Sequence, residues 1–311
     1  MPAKDILLAF ITVTIWGVSF SIVKVGLEEL PPILFIAMRF LIVALPAIFF
    51  VPFPNTSIWN VVAVGILIGV IKFGMLFMAM RADASAGLAS LILQAQIFFT
   101  IALSVFFLKE TITPLQASAI AISIAGFLFF FIAAGAAITH IGLALILAAA
   151  LAWAISNIIM KRMKDVALFR FMVWVSIVPL APLFTISYFI ETQNPIVLLM
   201  DLSPKAWFSI AYMGYLSTLA AYALWGGLLN RYTAAQITPF ALLIPITGIF
   251  TANAFLDETL TQLEIAGALL VMLGLSLCIA GQQIIKALQF GPLTDPQTTW
   301  YKNPWSDRYH R

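Results

Sequence analysis

Long apolar runs alternate with short polar or proline-rich segments along the chain up to about residue 285. The run from Ile6 to Val23 has no charged residue, and a helix needs about 20 mostly apolar residues to cross about 30 Å of hydrocarbon. Prolines such as Pro31 and Pro114 mark the ends of such runs. The pattern predicts ten membrane-spanning helices, at about residues 6–23, 33–51, 57–80, 85–108, 114–134, 141–160, 168–190, 205–229, 233–256 and 262–281.

A five-span unit occurs twice in this pattern. The Trp, Ser and Lys of residues 16–24 recur at 153–161, at an offset of 137, and the motif Glu-Thr-x-Thr at 110–113 recurs at 258–261, at an offset of 148. Because five crossings is an odd number, the second copy must enter from the opposite side, and inverted repeats build a substrate site at the midplane. We expect an all-α polytopic membrane protein with two inverted five-helix repeats, residues 1–137 and 138–285, and a flexible cytoplasmic tail, residues 286–311.

Basic residues are distributed unequally between the predicted loops. With the amino terminus in the cytoplasm, eleven Lys and Arg residues fall on the cytoplasmic side, and three, Lys24, Arg81 and Lys205, fall on the other side. Cytoplasmic loops carry the excess of Lys and Arg in membrane proteins. We therefore expect both termini to lie in the cytoplasm.

The amino-acid composition is that of a membrane protein, and it excludes several classes of function. Hydrophobic residues make up 63% and charged residues 9% of the chain, whereas soluble domains carry about 25% charged residues. One cysteine and two histidines are too few for an internal disulfide or a His-based metal site. No ATPase, hydrolase, metalloprotease or dinucleotide-binding motif occurs, so we expect no enzyme activity and no cofactor. The scattered basic residues do not predict nucleic-acid binding, which leaves the bilayer and a small-molecule substrate as partners, with the oligomeric state open and a monomer among the alternatives.

Acidic side chains lie at the ends of the predicted spans and not at their centres. Glu110 and Glu258 follow spans four and nine, and we expect them to act as helix-end charges. A proton-coupled exporter of cationic drugs needs a buried acid for which proton and substrate compete. The pattern therefore disfavours that mechanism.

Two basic residues lie inside predicted spans. Lys72 is near the middle of span three, where an ammonium facing lipid would cost about 2.5–3.5 kcal/mol, so we expect it to face a cavity. It acts there as the counter-ion of a substrate carboxylate or in a gating ion pair, unless it snorkels or loses its proton. Arg39 is only six residues into span two, and we expect it to snorkel to the headgroups or to pair with Glu28 or Glu29.

Amides in span four and prolines in span nine are further candidates for substrate binding. Gln94 and Gln96 point about 200° apart on a regular helix, so we expect one to meet the substrate and the other to bond to a neighbouring helix. Pro239 and Pro245 free backbone carbonyls in span nine. Their effect is either an opened helix that lines the cavity and hinges, or a kink tolerated by packing.

Spans one and six carry matching aromatic and polar patches. The two tryptophans lie deeper than an interfacial belt would place them. The patches either shape a pocket and supply hydrogen bonds or let the helices pack closely. The candidates for substrate binding in these patches, with an aromatic residue of span eight, are Trp16, Ser19, Trp153, Ser156, Asn157 and Tyr222.

The chain resembles the EamA type of the drug/metabolite transporter superfamily. The resemblance rests on the five-plus-five repeat, on the Trp16-Gly17 start, and on three segments, 38–50, 86–100 and 231–245, that resemble the cysteine and O-acetylserine exporter branch. It covers nearly all of the chain before the tail. It implies efflux of small metabolites from the cytoplasm across the inner membrane by alternating access.

The predicted function is export of small amino-acid-like metabolites of the cysteine or O-acetylserine type. The resembling exporters carry a neutral amide in the region of Lys72, so this lysine is a departure that favours an anionic or zwitterionic substrate. Efflux of hydrophobic or aromatic toxic compounds is the alternative, suggested by the many aromatic residues of the spans.

Overall fold

The computed structural model describes residues 1–109, 111–133, 138–163, 166–232 and 234–290. Its first half forms α1 to α5, and its second half forms α6 to α10 with a short helix, Pro195–Met200, before α8. The helices are α1 Ala3–Gly26, α2 Pro32–Ile48, α3 Ile58–Ala82, α4 Ala86–Leu108, α5 Pro114–Ala133, α6 His140–Arg162, α7 Leu168–Ile190, α8 204–231, α9 234–256 and α10 Gln262–Phe290.

The described chain is all-helical, as predicted, and each predicted span overlaps one of these helices. Among the described residues, seven segments are long and apolar enough to cross a membrane, and α2 and residues 262–278 of α10 are shorter apolar helices. The count of ten crossings and the inversion of the repeats remain predictions. Glu110 and residues 291–311 of the predicted tail lie outside the described residues, and α10 continues past Lys286, where the tail was expected to begin.

Regular α-helical hydrogen bonding is interrupted at matching positions in the two halves. A π-helical segment occupies Gly65–Lys72 in α3, and another occupies Tyr212–Ala220 in α8, so that their first residues are related by an offset of 147. The α4 helix resumes at Ala95 after a turn, and α9 resumes at Leu243 after a 3-10 segment, at an offset of 148. These offsets agree with the spacing of the Glu-Thr-x-Thr motifs, so the backbone repeats as the sequence does.

The ends of α4 and α9 match as closely. Lys109 follows α4 with φ of 57°, and Asp257 follows α9 with φ of 54°. Both residues adopt the left-handed conformation that commonly ends a helix and that usually falls to glycine. A non-glycine residue at both equivalent positions shows that the helices end in the same way in each half.

Charged side chains satisfy backbone groups at the helix ends on one side of the molecule. The Glu258 carboxylate accepts hydrogen bonds from the N–H groups of residues 86–87 at the start of α4 (2.9 and 3.2 Å). Lys24 donates to the carbonyl groups of Met80 (2.7 Å) and Ala84 (2.9 Å) at the end of α3. Such partners are needed because terminal helix groups have none within the helix. The prediction of Glu258 as a helix-end charge is confirmed.

Helices α5 and α10 pack against each other through glycines at repeat-equivalent positions, Gly126 and Gly274. A Cβ added to Gly126 would lie 2.8 Å from the carbonyl oxygen of Gly267, and one added to Gly274 would lie 2.6 Å from that of Ala119. Small residues allow this close approach of backbones in a membrane. The pair stands apart from the central cavity described below, to which neither helix contributes a described residue.

Candidate functional site

A cavity of about 280 Å³ lies in the middle of the molecule between the two halves. Its lining comes from α1 to α4 and from α6 to α9. Sequence reasoning expected the site between α1, α3, α4, α6, α8 and α9, and the structure adds α2 and α7. Most of the lining is apolar or aromatic, with a small set of polar and charged side chains, as is usual for small-molecule sites.

Lys72 lines this cavity, as predicted, at the end of the π-helical segment of α3. Its side chain is 5% exposed. The Nζ atom lies 3.9 Å from the ring centre of Phe73 and 4.0 Å from that of Trp153. Aromatic faces attract an ammonium, so both rings favour this position of the Lys72 amino group, and neither supplies a negative charge.

Arg39 also lines the cavity, and the prediction that it snorkels or pairs with Glu28 or Glu29 is wrong. It is 2% exposed, and its guanidinium lies over the rings of Phe73 (4.2 Å) and Phe40 (5.2 Å). The physical reason is that α2 is enclosed by other helices, with every residue from 33 to 40 buried. The side chain therefore has no route along lipid to the headgroups.

Basic side chains and no acidic ones line the cavity in the described part of the chain. Lys72 and Arg39 are its two basic residues, and no Asp or Glu is among the described residues that line it. Two cations without a carboxylate are costly in a buried site, because charges in protein interiors are normally paired. The arrangement can bind an anionic group.

Both glutamines of α4 line the cavity, which corrects the expectation that only one of them faces it. The regular helix that placed them on opposite sides is broken by a turn at Leu93 and Gln94, before α4 resumes at Ala95. Gln96 also bridges to a neighbouring helix, as expected for one of the pair: its Oε1 accepts from Asn157 Nδ2 of α6 (2.8 Å).

The hydrogen-bonded Gln96–Asn157 pair lies where the central cavity meets a second one. Asn157 Nδ2 also donates to Thr100 Oγ1 (3.2 Å). The second cavity, of about 310 Å³, continues toward the ends of α4 and α6 and is lined by Gln116 and Lys161 among others, with Gln96 and Asn157 shared by both cavities. We call the three hydrogen-bonded side chains of residues 96, 100 and 157 the partition.

Aromatic side chains of α1 and α8 form another part of the central lining. Trp16 packs edge-to-face on Tyr222 and Trp225, with ring centres 5.4 and 5.3 Å away. Its indole N–H donates to the carbonyl of Ser217 (3.0 Å). Trp16, Tyr222 and Ser19, three of the candidates from the sequence, line the cavity, although the Ser19 hydroxyl donates to the carbonyl of Trp16 in its own helix (2.5 Å).

Three predicted site residues do not line the central cavity. Ser156 is fully buried and its hydroxyl donates to the carbonyl of Ala152, one turn earlier (3.0 Å). It packs helices, which is the alternative that the sequence left open. Pro239 and Pro245 flank the irregular start of α9, where the residues between them, Ala241 and Ile244, line the cavity instead.

The ends of α1 are tied to α8 by polar contacts outside the cavity. Asp5 pairs with Arg231 (2.7 Å) and accepts a hydrogen bond from Tyr232, which raises the pKa of the Tyr232 phenol. Beyond the other end of α1, Glu29 accepts from the hydroxyl and the N–H of Ser203 (2.5 and 2.9 Å), and these hydrogen bonds lower the pKa of Glu29. These contacts hold the two helices that carry the aromatic cluster.

Comparison with known proteins agrees with this architecture. The model of a family described as "EamA-like transporter family" matches residues 3–132 and again 140–280. A probable amino-acid metabolite efflux pump of Salmonella typhimurium is 38% identical over 91% of this chain and 97% of its own length, and one of Escherichia coli is 36% identical over 94% of this chain and 100% of its own. A crystal structure with 15% identity and a TM-score of 0.58 covers 92% of this chain and all of the other, which shows a shared fold.

Proposed function

This chain belongs to the EamA-like transporter family, and from that premise we propose that it exports small amino-acid-like metabolites of the cysteine or O-acetylserine type by alternating access. Export is the direction in the names of both relatives above, which are described as probable amino-acid metabolite efflux pumps. Their identity extends over nearly the whole of each chain, so the comparison covers the cavity and not one helix pair. The proposed activity is transport and not catalysis.

The observation that carries the proposal is the buried Lys72 in a cavity lined by no acid among the described residues. An α-amino acid or its derivative offers the carboxylate that this ammonium lacks. Hydrogen bonds to charged groups contribute about 1.5–3 kcal/mol, enough to select carboxylates over neutral compounds. Gln94, Gln96 and Tyr222 offer polar atoms in the same cavity for the rest of the metabolite.

We also propose the membrane arrangement. Residues 1–137 and 138–285 form two inverted repeats of five crossings in the inner membrane, with both termini in the cytoplasm. The excess of basic residues on one set of loops supports this orientation. The second cavity extends to Lys161 at the end of α6, on the side assigned to the cytoplasm. A metabolite would enter there and pass the partition to reach Lys72.

Efflux of hydrophobic or aromatic toxic compounds is a second candidate. Trp16, Trp153 and Trp225 all line the cavity, and the apolar part of the lining is the larger. Such compounds would bind against these rings without needing an anion site. Their transport would not depend on the charge of Lys72.

The test is efflux from proteoliposomes loaded with radiolabelled O-acetylserine or cysteine. We expect saturable efflux by the wild type and loss of most of it in Lys72→Ala. Lys205→Ala is the matched control, because Lys205 is an exposed lysine whose ion pair with Glu28 (2.9 Å) is far less important energetically. Neutral aromatic compounds should not compete.

Two results would count against the proposal. Correctly inserted wild type without saturable efflux of either compound would remove the assigned substrate class. Equal efflux by Lys72→Ala, together with competition by neutral aromatic compounds, would favour the second candidate function.

A further inference from the structure

Arg39 is a buried cation with unused hydrogen-bonding capacity. Its Nη2 donates to Thr218 Oγ1 (2.8 Å), while Nε and Nη1 have no hydrogen-bond partner within the described part of the chain. A guanidinium stays charged in proteins, and leaving a buried charged donor unsatisfied is costly. Since the side chain lines the central cavity, the missing partner is best supplied by a ligand.

Arg39 and Lys72 are close enough to act on one small molecule. Both lie against the ring of Phe73, with the guanidinium carbon 4.2 Å and the ammonium nitrogen 3.9 Å from its centre. The distance between the two cationic centres can therefore be no greater than the sum of these two distances, about 8 Å. Like charges at this separation repel in a poorly solvated site, so an empty cavity is electrostatically unfavourable.

One carboxylate would neutralise only one of these two charges. A zwitterionic amino acid would add an ammonium to a cavity that already holds two cations and, among the described residues, no acid. A ligand with two anionic groups and no free ammonium satisfies both cations. Arg39 supplies a planar set of donors suited to a carboxylate, and Lys72 supplies a compact charge.

We propose that Arg39 and Lys72 form a two-cation site and that the preferred cargo is a dianionic amino-acid metabolite without a free ammonium, such as an N-acylated acidic amino acid or a related dicarboxylate. This inference rests on the proposed export of amino-acid metabolites, and it moves the preferred cargo from zwitterions such as O-acetylserine to dianions. It assigns Arg39 a role in specificity. Lys72 binds the carboxylate that every candidate metabolite has, and Arg39 binds a second anionic group and so favours dianions.

The first test uses the wild type alone. Proteoliposomes are assayed for uptake of radiolabelled N-acetylaspartate at neutral pH, with unlabelled N-acetylaspartate, N-acetylalanine or O-acetylserine as competitor. These are a dianion, a monoanion and a zwitterion. We expect the dianion to compete at about tenfold lower concentration than the monoanion, a difference of about 1.4 kcal/mol, and the zwitterion to compete most weakly. A zwitterion that competes as well as the dianion would overturn the inference.

The second test separates a role in specificity from a role in folding. Arg39→Gln should lower the ratio of dianion to monoanion transport toward one, whereas damage to the fold would lower both rates together and leave the ratio unchanged. Thr218→Val is the matched control, because it removes the hydrogen bond to Arg39 and keeps the charge; its ratio should stay near that of the wild type. An unchanged ratio in Arg39→Gln would overturn the inference, and if that variant does not insert, the wild-type competition decides.

The same assays distinguish the two levels of proposal. Saturable transport of O-acetylserine with no transport of N-acetylaspartate would reject the dianion inference and keep the proposed function. Saturable transport of N-acetylaspartate without transport of O-acetylserine would keep the dianion inference and reject the O-acetylserine assignment. Absence of saturable transport for all three compounds would reject export of amino-acid metabolites by this cavity.

Discussion

The two halves of the molecule have matching backbones and different chemistry. Both contain a π-helical segment, an interrupted helix and a left-handed helix end, and the two sets are related by sequence offsets of 147 and 148. The residues at equivalent positions are nevertheless unlike. At the offset of 148, Lys72 corresponds to Ala220, and Gln96 corresponds to Ile244.

Both halves therefore line the cavity, but its two basic side chains come from one of them. At the offset of 137 that relates the first spans, Arg39 corresponds to Ser176, so both cations of the cavity belong to the first half. The second half contributes Tyr222 and Trp225. The repeated backbone accounts for the shape of the cavity, and unlike residues at equivalent positions account for its basic lining. The predictions below test these two parts separately.

The largest effect should come from removing the amino group of Lys72, and a lysine at the equivalent position of the second half should not replace it. Lys72→Ala should lower the initial rate of efflux about 10- to 100-fold, since a hydrogen bond to a charged group contributes about 1.5–3 kcal/mol. Adding Ala220→Lys should not restore efflux, because Ala220 does not line the cavity. Initial rates normalised to the amount of protein in the membrane measure this. Restoration by Ala220→Lys would show that the chemistry is interchangeable between halves.

The next effect concerns the part of the structure that the halves share. Gly126→Ala and Gly274→Ala should each destabilise the protein by about 1–3 kcal/mol, because the added methyl group meets backbone atoms of the facing helix at 2.8 and 2.6 Å. Gly74→Ala is the control: a Cβ there meets nothing within 4 Å, and alanine improves helix propensity by about 1 kcal/mol. Thermal unfolding in detergent measures all three. Destabilisation by only one of the two repeat-equivalent substitutions would contradict the equivalence.

The sequence predicts the positions of the helices and the cavity-lining position of Lys72 correctly, because both follow from the cost of placing groups in hydrocarbon. Apolar runs of spanning length can satisfy their backbone groups only as helices in a membrane. A lysine in the middle of such a run must turn toward protein or a cavity. Neither argument needs knowledge of the neighbouring helices.

The positions of the Arg39 side chain and of the two glutamines depend on tertiary packing and on a local break in a helix. Sequence-based reasoning fails there because the sequence shows neither. Arg39 is about two turns from the start of α2, a depth from which arginine reaches headgroups when lipid surrounds the helix. Packing of other helices around the first half of α2, residues 33–40, removes that route. Gln94 and Gln96 share a cavity because the helix breaks between Leu93 and Ala95, and no proline or glycine in that stretch signals the break.

A smaller effect on stability should follow from changes in the partition. The repeat does not duplicate this cluster, because Asn157 corresponds to Phe20 at the offset of 137. Asn157→Leu removes two hydrogen bonds and should cost about 1 kcal/mol, given an average of about 0.6 kcal/mol for each such bond in a membrane. Thr100→Val removes one of these two hydrogen bonds, together with the bond from its own hydroxyl to the carbonyl of Gln96 in the same helix (2.6 Å), and should cost about half as much. Ser156→Ala is the neighbouring control, because its hydroxyl donates to the carbonyl of Ala152 within its own helix. Equal stability of Asn157→Leu and Ser156→Ala in thermal unfolding would show that the partition contributes nothing to the fold.

The smallest effect should come from the two left-handed helix ends, and it should have the opposite sign. Lys109→Gly and Asp257→Gly relieve a conformation that costs a non-glycine residue about 1–2 kcal/mol, while glycine loses about 0.5–1 kcal/mol more backbone entropy on folding. Each substitution should therefore raise the free energy of unfolding by about 0.5–1 kcal/mol, and thermal unfolding of the two variants in the same detergent measures it. Because the backbone is equivalent at both sites, the two gains should be alike. A gain at one site and a loss at the other would mean that local side-chain contacts, and not the repeated backbone, determine how these helices end.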